Sequence, residues 1–101
     1  MTDFRYEEIN KSARQVLSEL SLPEQTQIGC LTILDDKRTK EILTEQNMNG
    51  IIAGAIYIAA ILTESRLPQH RIADVMDISE SSIRKYYVQL VKVLEIKRKK
   101  D

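Results

Sequence analysis

The chain has 101 residues, of which 43% are hydrophobic and 30% charged, with 15 basic side chains balanced by 15 acidic ones. That length predicts one domain over residues 1–101, because either half alone would bury too little apolar surface to offset its folding entropy; the composition excludes a disordered or collagen-like chain. The longest apolar run, residues 51–62, is too short to span a bilayer, and no secretory leader is visible, so a cytoplasmic (nucleoid-associated in a prokaryote) or nuclear setting is expected.

No stretch alternates apolar and polar residues at period two, whereas helical spacing recurs throughout, so the expected class is all-α. Tyr6, Ile9, Ala13, Val16, Leu17 and Leu20 step by three and four, giving the first helix one apolar stripe. Ser21 can then cap a second helix, with Pro23 in its first turn and Glu24 three residues after the cap. This helix is predicted to run to about residue 46, with Ile28, Leu31, Leu34, Ile42 and Leu43 facing inward. The polar run at residues 35–40 can break or bend it. Asn49 is the expected cap of a third helix, apolar on every side through Leu62, which the others must surround. Pro68 opens a short fourth helix, Gln69–Met76. Ser79 caps a fifth from residue 80 to about residue 96, with Ile83, Tyr87, Leu90, Val91 and Leu94 inward. Residues 97–101 read as a basic, fraying tail.

The last two helices carry the spacing of a helix-turn-helix. Ile72 and Ala73 lie on the first, residues 77–79 make the turn, and Ile83 anchors the second. A side chain larger than Ala73 would push the helices apart, while Ile78 and Ile83 set their crossing angle. Asp77 stands where such turns often place glycine, and aspartate tolerates positive φ better than most residues. In a functional motif the start of the fifth helix enters the major groove. Ser81, Ser82, Arg84 and Lys85 are then the candidate groups near the bases, since arginine bonds guanine in bidentate fashion and serine bonds several base edges. Gln69 and His70 are candidates for the phosphate backbone at the start of the fourth helix, where the helix dipole favours anions. The competing reading leaves Arg84 and Lys85 as solvated helix residues.

Charge is unevenly divided. Residues 1–50 hold six basic and nine acidic side chains, a net −3; residues 51–101 hold nine and six, a net +3. A pI near 6.6 is nevertheless low for a strong nucleic-acid binder.

Residues 49–64 resemble the small-residue-rich third helix of the cyclin fold in the transcription factor IIB family. Residues 69–90 are similar to that family's second cyclin repeat, especially in archaeal members, through Gln69, Ile72, Ala73, Asp74, Val75, Ser79, Ser82, Ile83, Arg84, Tyr87 and Leu90. The resemblance implies a five-helix cyclin-like bundle with a central apolar helix and a C-terminal helix-turn-helix. It implies promoter DNA upstream of the TATA box and the TATA-binding protein as partners, and no enzymatic activity. By position the base-reading residues would be Ser81 and Arg84. Ser81 departs from the small apolar residue common there, Tyr86 and Val88 replace residues often basic or polar, and Asp77 replaces glycine. The zinc ribbon, reader segment and first cyclin repeat have no counterpart in this sequence. Any link to RNA polymerase is expected through regions missing here, whether the chain is an excised second repeat or a small stand-alone relative.

The remaining chemistry-bearing residues are few. His70 is the sole histidine and has no ligand partners at metal spacing; Cys30 can form no internal disulfide and reads as a core filler. The adjacent pairs Glu7–Glu8 and Asp35–Asp36 point about 100° apart on a helix and form no paired-carboxylate site. Tyr86 and Tyr87 can stack on bases, Tyr87 fitting the core better. Neither cofactor, metal, membrane nor small-molecule substrate is expected. The alternative function is a cyclin-box interaction module that holds a partner protein and never touches DNA.

Overall fold

The computed structural model describes residues 6–96, with side chains from Glu8 onward; Tyr6 of the first apolar stripe and the basic tail at 97–101 therefore fall outside the described side chains. Six helices appear among the described residues and no strand: α1 (Tyr6–Glu19), α2 (Glu24–Asp35), α3 (Lys37–Ile42), α4 (Met48–Leu62), α5 (Gln69–Met76) and α6 (Glu80–Leu94). The second predicted helix is realised as two. Asp36 adopts an extended conformation (φ −68°, ψ 137°), and its carboxylate accepts the N–H of Arg38 at 2.8 Å, capping α3. The polar run is thus a helix stop followed at once by a helix start.

Helix α4 is the axis of the bundle. From Gly50 to Ala60 every residue is buried except the half-buried Tyr57, so packing has to come from all sides. It does, from α6 and α2 most extensively and from α5 and α1 as well. Small residues set the distances. A Cβ on Gly29 of α2 would meet the Ala59 Cβ at 3.4 Å, an ordinary contact. On the opposite side, a Cβ on Gly54 would sit 3.0 Å from the backbone N of Tyr87 and 3.1 Å from the Tyr86 carbonyl carbon. The backbones of α4 and α6 therefore touch there, and only glycine leaves room. Ile9, Ala13 and Leu17 of α1, Cys30, Ile33 and Leu34 of α2, Ile72, Ile83 and Leu90 complete the core. Cys30 is fully buried, and burial pushes its thiol up to about 12.

Four helices end on a residue in the left-handed conformation, and none of these is glycine: Ser21 (φ 53°), Glu64 (φ 58°), Asp77 (φ 58°) and Glu95 (φ 55°). Each is followed by an N–H that reaches back five residues: Leu22 to Leu17, Ser65 to Ala60, Ile78 to Ala73 and Ile96 to Val91. That pairing satisfies carbonyls the helix itself leaves open.

Three expectations are corrected. Ser21 caps nothing on α2; it terminates α1, and Pro23 holds the position before α2 without a side-chain cap. Asn49 lies inside α4, whose preceding residue is Asn47. Asn47 ties the α3–α4 loop by accepting the Thr44 N–H (2.8 Å) and donating to the Ile42 carbonyl (2.8 Å). Ile28 is not inward but 56% exposed. The inner face of α2 is rotated because Thr26 occupies it, with its hydroxyl 2.7 Å from Thr63 Oγ1 and 2.8 Å from Ser65 Oγ. A polar residue can be buried there because hydroxyls from the end of α4 satisfy it.

Candidate nucleic-acid interface

The fourth and fifth predicted helices form as expected, α5 over Gln69–Met76 and α6 from Glu80. Ile72 and Ile83 are fully buried where the two meet, and Ala73 and Ile78 are half-buried between them. Asp77 turns the chain in the left-handed region (φ 58°, ψ 49°), its N–H and that of Ile78 both donating to the Ala73 carbonyl. Ser79 then starts α6. Its Oγ accepts the Ser82 N–H and donates to Ser82 Oγ, both at 3.1 Å. The crossing is held from inside by apolar contact and at the turn by backbone and cap.

One face of α6 turns into the core through Ile83 and Leu90, while Glu80, Ser81, Arg84, Lys85, Val88 and Lys92 are exposed along the other. Arg84 makes no hydrogen bond or ion pair among the described residues, so its guanidinium keeps all of its donors for an external acceptor. Ser81 is exposed beside it. Ser82 is half-buried, and its hydroxyl is engaged with Ser79, so the cap consumes it. Lys85 places Nζ 5.1 Å above the Tyr86 ring, a cation–π contact that leans it along the helix. On α5, His70 is exposed and Gln69 half-buried, and Pro68 supplies no side-chain cap, which leaves the α5 start without a side-chain acceptor.

The tyrosines are spent on packing rather than offered for stacking on bases. The Tyr86 ring lies directly against Gly50, and Tyr87 meets Tyr57 edge-on with ring centres 5.1 Å apart. Both clamp α6 to α4. The far end of α6 is tied to α3, where Arg38 Nη1 donates to the Leu94 carbonyl at 3.3 Å. Arg38 also binds Asp36, and this hydrogen bond holds the Asp36 carboxyl below its ordinary value.

The electrostatic character of the motif is balanced. Exposed Arg71, Arg84, Lys85 and Lys92 are matched by exposed Asp74, Asp77, Glu80 and, at the end of α6, Glu95. Glu80 is not among the basic and hydroxyl groups that a base-reading motif singles out, yet its spacing of four from Arg84 places both on one face of any helix.

Comparison with known proteins bears on this arrangement. Residues 6–93 match the family model described as Transcription factor TFIIB repeat. A protein named Transcription initiation factor IIB from Methanococcus maripaludis (strain C5) is 35% identical over 79 residues, covering 78% of this chain and 23% of the relative. The protein of that name from Methanothermococcus thermolithotrophicus matches to the same extent, and that from Pyrococcus furiosus is 32% identical over 89 residues, 88% of this chain and 28% of its own length. The chain thus spans about a quarter of the length of these relatives.

Proposed function

Since the chain belongs to the Transcription factor TFIIB repeat family, we propose that it acts in transcription initiation as a non-enzymatic DNA-reading domain. The α5–α6 motif binds promoter DNA upstream of a TATA element, in concert with a TATA-binding protein. The observation that carries this reading is Arg84, exposed on the outer face of α6 and without an intrachain partner among the described residues, while Ile83 beside it is locked in the core. An arginine so placed near the start of a groove-entering helix can take the O6 and N7 acceptors of guanine together. Ser81 and Lys85 flank it, and the α5 start, with Gln69 and His70, faces the phosphates.

Balanced charge around the motif means that few phosphates are neutralised, so binding by this chain alone is weak. A second protein held on the same DNA raises it through effective concentration. Arg84→Ala should cost about 1–3 kcal/mol in the ternary complex and relax selection at one base pair. Equal affinity of parent and variant for a matched promoter and TATA-binding protein would remove Arg84 from the reading.

The equality of acidic and basic groups, and the commitment of Tyr86 to packing, favour one second reading: a cyclin-box interaction module that grips a partner protein only. A gel-shift titration across salt separates the two. DNA reading gives affinity that falls with added salt; the interaction module gives no shift at any ionic strength.

A further inference from the structure

We infer that Glu80 is a second base-reading residue on α6, one that selects a cytosine within about two base pairs of the guanine contacted by Arg84; this rests on the DNA-reading role proposed above. Glu80 is the first residue of α6 and is exposed. Capping does not use it, because Ser79 accepts the Ser82 N–H and pairs with the Ser82 hydroxyl. It forms no ion pair with Arg84 or any other described residue. Its carboxylate is therefore free and lies on the same face as Arg84, one helical turn away. Four residues advance an α-helix by about 6 Å. Successive base pairs rise by about 3.4 Å, so the two side chains reach positions no more than about two steps apart.

The chemistry of a carboxylate limits what it can meet in a major groove. It is acceptor-only. Guanine offers two acceptors and thymine one acceptor and a methyl, and both repel it. Adenine sets an acceptor, N7, beside its amino donor. Cytosine presents its N4 amino group alone, and this is the partner that carries no opposing lone pair. Phosphates repel Glu80 as well. On unmatched DNA its charge therefore opposes binding, and only a facing amino group removes that penalty. Selectivity gained by penalising wrong partners suits a motif whose exposed charges cancel.

The test measures binding of the full chain, with a TATA-binding protein, to a duplex library randomised upstream of a TATA element. Parent, Glu80→Gln and Arg84→Ala are compared, with thermal melting of each as the folding control. The parent should select a guanine and, within two steps, a cytosine. Glu80→Gln should melt as the parent does, lose about five- to tenfold of the cytosine selection, and shift toward adenine, which glutamine bonds through N6 and N7. Arg84→Ala should lose the guanine alone. If Arg84→Ala sheds guanine selection while Glu80→Gln keeps the parental profile, or tightens every sequence by one common factor, Glu80 reads no base and the inference falls by itself. A parent with no sequence selection at all overturns the DNA-reading role, and the inference with it.

Discussion

The molecule joins helices at an aspartate in two places, and the two joints are built on different principles. Between α2 and α3, Asp36 keeps an extended backbone and works through its side chain, whose carboxylate caps α3 and binds the Arg38 guanidinium. Between α5 and α6, Asp77 works through its backbone, which enters the left-handed region so that two N–H groups reach the Ala73 carbonyl. Its carboxylate has no partner among the described residues. What holds the second joint lies beneath it, in Ile72 and Ile83. A surface-held joint answers to solvent conditions, and a core-held one to volume. The joint that sets the angle of α6 is of the second kind.

The widest break in that contrast comes from the core. Ile83→Ala should cost about 2–5 kcal/mol, read as a fall in the denaturant midpoint with unchanged slope. A loss below 1 kcal/mol would mean that packing does not hold the α5–α6 joint. A smaller effect of opposite sign comes from the backbone. Asp77→Gly should stabilise by about 0.5 kcal/mol, because glycine avoids left-handed strain but gives back some of the gain through its freer unfolded chain. Glu95→Gly should gain more, about 1 kcal/mol, since glutamate lacks the local tolerance of aspartate for that conformation. The finest distinction is one of pH. The Asp36 carboxyl is held below its ordinary value by the hydrogen bond from Arg38. Its stabilisation is therefore present at neutral pH and fades as pH falls through that depressed value. Asp36→Asn keeps a capping oxygen and should flatten this acid limb, followed as amide exchange protection in α3.

The boundaries of α5 and α6 were legible in the sequence because their signals are local: Pro68 before one helix, Ser79 with its cap on the other, and an apolar stripe around Ile83. So was the central place of α4, whose apolar surface on every side admits no other position. The expectations that failed needed information from far along the chain. Ile28 has an inward spacing, three residues from Leu31, but Thr26 claims the inner face through hydroxyl partners 37 and 39 residues away. Ser21 has the side chain of a cap and the backbone of a helix terminator, and residue type alone does not separate these uses. At the interface, the exposure of Arg84 followed from helical spacing. The loss of Tyr86 to Gly50 and of Ser82 to Ser79 did not, since each depends on a specific neighbour at close range.

The seat of Cys30 between the packed helices has a practical consequence. With its thiol pushed up to about 12 and sealed from solvent, it cannot meet an alkylating reagent until α2 parts from α4. A single labelling event per molecule thus keeps time for the opening of the bundle. Because α2 makes no contact with α6, that internal clock can run while a ligand is offered to the exposed face of α6, and any slowing of it would measure how firmly occupancy of that face braces the whole fold.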